Sequence, residues 1–442
     1  MLIFLVIEID RTNLFLVGEI RMTETNSIDT KLQNVDPLIS DIISRENIRQ
    51  NNALEMIPSE NYASTAVIEA VGSVLTNKYS EGYPGARYYQ GNDIVDEAEN
   101  LARDRAKELF NFAHANVQPH SGTQANMAVY LGLLKPGDTV MGMQLDAGGH
   151  LTHGHPVNAS GKLYNFVSYG VDRESEIIDY EAMLDIAKLH RPKLLVVGAT
   201  AYPRQINFER AREIADEVNA ILMADMAHIS GLIAGGVHPS PSGFAHVVTT
   251  STHKTLRGPR GGMILCDQDY ARKIDRGVFP GSQGGPMMNI IAGKAVMLSE
   301  ASTQEFKMYA RETVSNANIL ANTLESGGLR LVSGGTETHL VLVDVTPMGL
   351  TGKIAAEALE TAGIVTNSNT IPFDPNPPTV GSGVRMGTPA ITSRGMGKNE
   401  MKKIGELILR VFENYDDTEI LNTIRFEVER LCSEFAAPGV KR

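Results

Sequence analysis

The residues best suited to covalent chemistry lie in one short segment, residues 249–262, with Lys254 near its centre. Apolar runs at residues 245–248 and 263–265 flank this segment and predict two short buried strands bounded by Gly and Pro. Lys254 is therefore expected on a tight connection between strands. Desolvation and nearby cations lower the pKa of a lysine in such a place, which makes its amine a nucleophile. The cations nearest in sequence, which we expect to act on it, are His253, Arg257 and Arg260.

A carboxylate that could act together with this lysine lies upstream, at the end of another apolar run. Asp225 closes the run at residues 221–225, and His228 follows it. In pyridoxal phosphate enzymes, an aspartate pairs with the pyridinium nitrogen and a lysine holds the aldehyde as a Schiff base. Asp225 and Lys254, which are 29 residues apart, are predicted to be these two groups.

Two further stretches favour ligand binding. Ser121, Gly122 and Thr123 open a predicted helix, where free backbone N–H groups at the positive end suit a phosphate. The alternative for Ser121 is an ordinary N-cap. Residues 79–89 are dense in Gly and Tyr and have neither a helical nor a strand period, which indicates a loop that carries a site.

The elements that must position these groups alternate between strands and helices. This pattern predicts an α/β fold with a mostly parallel sheet, in which ligands gather at the carboxyl ends of the strands. From about residue 316 the pattern changes to α+β. The predicted strands are residues 194–199, 221–225, 245–250, 262–266, 329–332 and 340–345, and the predicted helices include residues 94–110, 180–190, 209–220 and 352–362.

These patterns predict an amino-terminal arm (1–60), a large domain (61–315) and a small α+β domain (316–442). Within the arm, apolar residues at helical spacing over 36–54 predict a helix that Pro58 ends. We interpret residues 1–21 as translation from an upstream start codon, with Met22 as the natural start. The apolar beginning is too short to span a bilayer and lacks the features of a signal peptide.

Composition excludes several classes of protein. The chain has 442 residues, 42% hydrophobic and 21% charged, which is typical of a globular enzyme. A formal charge of -12 argues against nucleic acid or an anionic membrane as the main partner. The two cysteines, Cys266 and Cys432, are in no metal-binding spacing, so we expect reduced thiols, no metal site and a cytoplasmic location.

Several long motifs, in order, resemble serine hydroxymethyltransferase, a family of pyridoxal phosphate enzymes of fold type I. The resemblance covers about residues 45–420. It implies an aminotransferase-like fold whose large domain has a seven-stranded sheet. It also implies transfer of the serine hydroxymethyl carbon to tetrahydrofolate, and a homodimer with active sites shared across the interface. The motifs are residues 77–85, 118–126, 148–154 and 251–262.

The resemblance also implies roles for cofactor-binding residues. His150 would stack on the pyridine ring, and Thr200 and His228 would contact its substituents. His253 would lie beside Lys254, and Gly285, in the glycine-rich loop 279–286, would complete the phosphate site of the adjacent subunit.

Other implied roles concern the two substrates. Arg385, between glycines, would bind the amino-acid carboxylate in the bidentate manner of a guanidinium, with help from Ser59. Without the resemblance, Ser59 reads as a turn or N-cap serine. Three loop residues, with Glu81 as the acid/base group, would enter the neighbouring active site: Tyr79, Glu81 and Tyr89. The residues expected to line the pterin pocket are Leu145, Gly149, Leu151 and Asn369.

One departure from the family and two rival functions stay open. Thr379 stands where bacterial members carry an aromatic residue, so a modified pterin of the archaeal kind is an alternative to tetrahydrofolate. A pyridoxal phosphate aldolase for threonine or related 3-hydroxy amino acids would use the same lysine, aspartate and arginine without a pterin. A non-enzymatic paralogue would have lost such groups, and this chain keeps them.

Overall fold

The computed structural model describes residues 30–441, so the interpretation of residues 1–21 and Met22 lies outside the described residues. The chain divides after Ile48 into two compact units, and all of the strands given below belong to the second. The helices are α1 (Leu32–Val35), α2 (Pro37–Asn52), α3 (Thr65–Val71), α4 (Asp93–Phe110), α5 (Gly122–Leu133), α6 (Ala159–Leu163), α7 (Tyr180–His190), α8 (Phe208–Glu217), α9 (Ser230–Ala234), α10 (Gln268–Val278), α11 (Met288–Ala301), α12 (Gln304–Ser326), α13 (Gly352–Thr361), α14 (Pro389–Ser393), α15 (Lys398–Glu413) and α16 (Thr418–Glu434).

Seven of the strands form one sheet, in the order β4-β10-β9-β8-β7-β5-β6. All neighbours in it are parallel except β10, which runs antiparallel to both β9 and β4. The predicted α/β class with a mostly parallel sheet is confirmed. The strands are β1 (Leu54–Glu55), β2 (Gly82–Tyr83), β3 (Ala86–Arg87), β4 (His114–Asn116), β5 (Thr139–Met143), β6 (Asn165–Tyr169), β7 (Leu194–Val197), β8 (Ile221–Asp225), β9 (Val247–Ser251), β10 (Gly262–Cys266), β11 (Arg330–Leu331), β12 (Leu340–Asp344), β13 (Ile364–Val365), β14 (Asn367–Asn369) and β15 (Gly383–Gly387).

Apolar residues cover both faces of this sheet, as the continuous hydrophobic runs predict. In β7, Leu194 and Val196 belong to one core cluster and Leu195 and Val197 to another, because successive side chains of a strand point to opposite faces. Helices α5 and α10 contribute to the first cluster, and α4, α8 and α11 to the second. The sheet is therefore a rigid layer, and the carboxyl ends of β4, β5, β7, β8 and β9 meet at one edge.

A second core follows the change of pattern seen in the sequence. The antiparallel sheet β11-β12-β15-β14 packs with α12, α13, α15 and α16 around apolar residues between Ala317 and Cys432. Leu54 and Met56 join this core, because β1 pairs in parallel with β13.

Two local predictions were wrong. The helix α2 ends at Asn52 and not at Pro58, because Leu54 N donates to Gly363 O and Met56 N to Val365 O, which draws the chain into an extended form beside β13. The segment at residues 79–89 is not loop throughout, since β2 and β3 form a short hairpin in it.

No helix among residues 30–441 has the length and apolar character needed to cross a membrane. Both cysteines are buried and unpaired. Within the described residues there is no cluster of three or more side chains suited to a metal ion.

Candidate active site

A cavity of about 410 Å³ lies at the edge where the strands of the large sheet end. Most of the residues selected from the sequence line it, although they come from six different strand-to-helix or strand-to-strand connections and from β15. The predicted residues that line the cavity are Ser59, Ser121, Gly122, Thr123, His150, Thr200, Asp225, His228, His253, Lys254 and Arg385.

Lys254 lies on the connection between β9 and β10, as predicted. The backbone of this connection is fixed by hydrogen bonds from Thr252 N to Gly261 O (3.1 Å) and from Gly258 N to Thr252 O (2.8 Å). The Asn61 side chain donates to the Lys254 carbonyl at 3.0 Å. These contacts hold the main chain in place, so the lysine side chain can move without its backbone.

Burial lowers the pKa of Lys254 to about 8; the charge of Asp225 opposes the shift, and the cations Arg385 and Arg260 add to it. Two of the three predicted cations were wrong. Burial also lowers the pKa of His253 to about 3, so its ring is neutral. The Arg257 guanidinium instead lies over the Tyr309 ring, 4.2 Å from the centroid.

Asp225 is at the end of β8 and is held by polar groups on both carboxylate oxygens. Its Oδ2 accepts from Asn126 Nδ2 (2.8 Å) and lies 3.1 Å from His153 Nε2, while Oδ1 accepts from the backbone of Ala227. Burial alone would raise the pKa of Asp225, but the hydrogen bond and charge of His153 hold it well below its usual range. Asp225 is therefore an anion at neutral pH. Burial lowers the pKa of the nearby His150 to about 4, so that ring is neutral.

His153 and Asn126 are functional candidates that the sequence analysis missed. Both lie inside the motifs that carry the resemblance, and this was the only signal in the sequence. Asp225, which they hold, is 99 residues from Asn126 and 72 residues from His153.

Arg385 lies on β15, in the smaller sheet, and reaches the same cavity. Its Nη1 donates to Thr200 O at 2.7 Å and its Nε to Asn367 Oδ1 at 3.1 Å. Burial lowers the pKa of Arg385 to about 10, so it stays protonated at neutral pH. Within the described part of the chain Nη2 makes no hydrogen bond, which leaves it for a carboxylate. Ser59, in the turn after β1, lines the cavity too, and the N-cap reading of Ser59 was wrong because Ser64 caps α3.

The turn before α5 agrees with both interpretations of Ser121. Its Oγ accepts from Gln124 N at 3.2 Å, so Ser121 is the N-cap. The same turn lines the cavity, at the N-terminus of a 12-residue helix whose first backbone N–H groups have no partner within the helix. An N-terminus of this kind favours an anion through its unpaired donors and the helix dipole.

Four predicted residues do not line this cavity but form a separate, partly exposed cluster, which we call the tyrosine cluster: Tyr79, Glu81, Tyr89 and Gly285. Tyr79 Oη lies 3.2 Å from Glu81 Oε1, and the rings of Tyr79 and Tyr89 meet edge to face with centroids 5.0 Å apart. A Cβ built on Gly285 would be 3.7 Å from the Tyr79 ring. Tyr79 and Tyr89 are 57% and 46% exposed, although aromatic rings are usually covered.

Of the four predicted pterin residues, only Leu145 lines a cavity next to the first. A second cavity of about 250 Å³ shares His150 with the first, and Leu145, Thr370 and Pro378 line it. Gly149 allows the close approach of the Met143 carbonyl, which a Cβ would meet at 2.1 Å. Leu151 is 43% exposed, and neither it nor Asn369 lines this cavity.

The chemistry of the first cavity fits pyridoxal phosphate. The cofactor needs an amine of lowered pKa, an anion for its ring nitrogen and donors for its phosphate. Lys254, Asp225 and the turn before α5 provide one of each at the same cavity.

A family model described as serine hydroxymethyltransferase matches residues 32–408. The match covers every residue that lines the cavity, from Ser59 to Arg385, and most of the chain. The chain belongs to the serine hydroxymethyltransferase family, and it is accordingly a pyridoxal phosphate-dependent transferase of serine–glycine interconversion in one-carbon metabolism.

Proposed function

We propose that this chain transfers the hydroxymethyl carbon of serine reversibly to tetrahydrofolate and leaves glycine, with pyridoxal phosphate held on Lys254 as a Schiff base. The observation that carries the proposal is the shared cavity of Lys254, Asp225 and Arg385. A lysine of lowered pKa, an ionised aspartate and an arginine with free donors are what an amino-acid substrate and this cofactor require together.

Pyridoxal phosphate, when bound, supplies an electron sink for negative charge at the substrate Cα. Arg385 binds the substrate carboxylate through the donors that Thr200 and Asn367 leave free, and Ser59 adds a hydroxyl. Asp225 keeps its negative charge in the cavity because His153 and Asn126 hold it. His150, neutral at working pH, offers a flat ring with no charge to desolvate.

We further propose that the tyrosine cluster completes the cavity of a second copy of the chain in a homodimer. The cluster does not line the cavity of its own chain, yet it presents an acid/base group, Glu81, next to two phenols. Glu81 would hold and release the proton at the departing hydroxymethyl group. Tyrosine is one of the residues enriched at surfaces that a partner covers.

Mixed dimers test this sharing directly. Glu81→Gln and Lys254→Arg should each be inactive alone, but a mixture of the two chains should recover about a quarter of wild-type activity, because half of the dimers are mixed and each has one intact site. The measurement is serine turnover after the two purified variants are unfolded and refolded together.

A mixture of Lys254→Arg with Arg385→Met is the matched control. Both residues line the cavity of one chain, so every site in that mixture keeps a defect and no activity should return. Absence of recovery with Glu81→Gln as well would show that Glu81 acts in its own chain. Full activity of Glu81→Gln alone would show that Glu81 has no part in the reaction.

The activity itself is tested by glycine formation from serine with and without tetrahydrofolate. We expect turnover to require the pterin, because the carbon must otherwise leave as formaldehyde. Faster turnover of threonine without pterin than of serine with it would favour the aldolase. Turnover with a methylated archaeal-type pterin but not with tetrahydrofolate would keep the transfer reaction and change the acceptor.

A further inference from the structure

A buried lysine of α11, Lys294, joins two segments of the main chain that meet beside the turn before α5. Its Nζ donates to three backbone carbonyls, at 2.6 Å to Val117, 3.0 Å to Pro119 and 2.8 Å to Gly262. Val117 and Pro119 follow β4 and lead to Ser121, whereas Gly262 opens β10. Because the lysine is buried, water does not compete for these contacts.

The three contacts fit the charged form of Lys294. An ammonium has one N–H group for each carbonyl, whereas a neutral amine would turn its lone pair toward one of them. Burial lowers the pKa of Lys294, and the charge of Glu99 opposes this shift. The carbonyls oppose it as well, because hydrogen bonds to the charged form favour that form. Lys294 is thus a fixed positive charge inside the protein.

Two glycines leave room for this arrangement. A Cβ built on Gly261 would be 2.6 Å from Lys294 Cε, and one built on Gly262 would collide with the Ser121 carbonyl oxygen. The backbone of Gly262 also donates to Pro119 O at 3.0 Å. The start of β10 is therefore packed directly against the turn before α5, and the lysine binds both.

Both of the joined segments lead into the cavity. The turn at residues 121–123 lines it, and so does Lys254, on the connection that ends where β10 begins. Burial lowers the pKa of His120, directly before the turn, and the charge of Lys294 adds to this shift. The positive charge of the lysine therefore acts on the turn as well as its hydrogen bonds.

We propose that Lys294 is a positioning residue for the phosphate of the cofactor. Its ammonium fixes the turn at residues 121–123 against the connection that carries Lys254, and its charge favours an anion at that turn. An anion there is attracted both by the buried cation and by the N-terminus of α5. Lys294 does not line the cavity, so it acts through the main chain and its charge. That the anion is the phosphate of pyridoxal phosphate rests on the proposed function.

The test compares pyridoxal phosphate with pyridoxal, which lacks the phosphate, and measures the Kd of each from visible absorbance. Lys294→Met should weaken the binding of pyridoxal phosphate about 10-fold, the loss expected for one charge-assisted hydrogen bond. The Kd of pyridoxal should stay nearly unchanged. A merely structural role would weaken both ligands equally, so a wild-type ratio of the two Kd values in Lys294→Met would overturn the inference.

Arg394→Met is the matched control. Arg394 is also a buried cation, and its guanidinium donates to the backbone carbonyls of Ala53, Cys432 and Phe435, none of which lines the cavity. This variant should have a lower Tm and an unchanged ratio of the two Kd values. A changed ratio would show that the loss of any buried cation has this effect, which would overturn the inference.

Gly261→Ala keeps the lysine but should displace it, because the added Cβ would come too close to Lys294 Cε. The ratio should change in the same direction as in Lys294→Met, and a wild-type ratio would contradict the proposal. The wild type decides even if both variants fail to fold: equal affinity for the two ligands would overturn the inference and leave attachment to Lys254 intact. Absence of serine turnover in a wild type that prefers the phosphate would instead overturn the proposed reaction and support the phosphate site.

Discussion

Replacement of Lys254 by arginine should prevent covalent attachment of pyridoxal phosphate and lower kcat for serine by about 10³-fold or more, the cost of removing an activated nucleophile. Arginine keeps the positive charge beside Asp225 but has no amine that can form the Schiff base. The fold should survive, because the backbone of this connection is held by Thr252, Gly258 and Asn61 and not by the lysine side chain. The two measurements are the visible absorbance after cofactor addition, which should be lost, and kcat.

The protein contains its own control for this experiment. Lys294 is 1% exposed, and burial lowers its pKa to about 7, yet its Nζ donates to the carbonyls of Val117, Pro119 and Gly262 and does not line the cavity. Borohydride trapping followed by peptide mapping should therefore label Lys254 and not Lys294. A label on Lys294, or covalent cofactor in Lys254→Arg, would contradict the assignment. A lowered pKa alone does not make a lysine reactive; access to the cavity does.

Replacement of Asp225 by asparagine should lower kcat/KM by roughly 10²- to 10⁴-fold, because breaking a buried charge pair costs about 3 to 5 kcal/mol. The amide keeps the size of the side chain but loses the charge that would face the cofactor ring. The carboxylate also raises the pKa of Lys254, so its removal should lower that pKa further below 8. Trapping by borohydride should then reach its half-maximal rate at a lower pH than in the wild type.

Asp344→Asn separates this effect from a general loss of stability. Asp344 is 6% exposed and accepts from Arg330 at 2.9 Å, but it belongs to the smaller sheet and does not line the cavity. This variant should have a lower Tm with kcat/KM nearly unchanged. Equal losses of kcat/KM in the two variants would argue that Asp225 has only a structural role.

The sequence was sufficient for those parts of the site that follow from strand order alone. Asp225 ends β8 and Lys254 closely follows β9. Parallel strands deliver their carboxyl ends to one edge, so the meeting of these two residues could be predicted. Ser121 was predictable as the residue that opens a helix, and both of its predicted roles fit the structure, since it caps α5 and lines the cavity.

Contacts between segments that are far apart in the chain could not be predicted from the pattern of the sequence. The charge of Arg385 lowers the pKa of Lys254, although the two residues are 131 positions apart in the chain. His253, which is next to Lys254 in the chain, is neutral because it is buried. His339 meets His228 from another sheet. Such effects depend on burial and on the packing of separate layers, which periodicity does not specify. The early end of α2 has the same origin, because the partner strand of β1 lies far along the chain.

That pairing of β1 with β13 has a consequence for synthesis on the ribosome. Leu54 pairs with Ile364, which is made 310 residues later. At the usual rate of about 5 to 20 residues per second, the wait is roughly 15 to 60 s. During that time Leu54 and Met56 have no native core to enter, while the seven strands of the large sheet are already complete. The first of the described strands is thus among the last to find its place, and the nascent protein must carry this short apolar segment unpaired until its carboxyl-terminal third emerges.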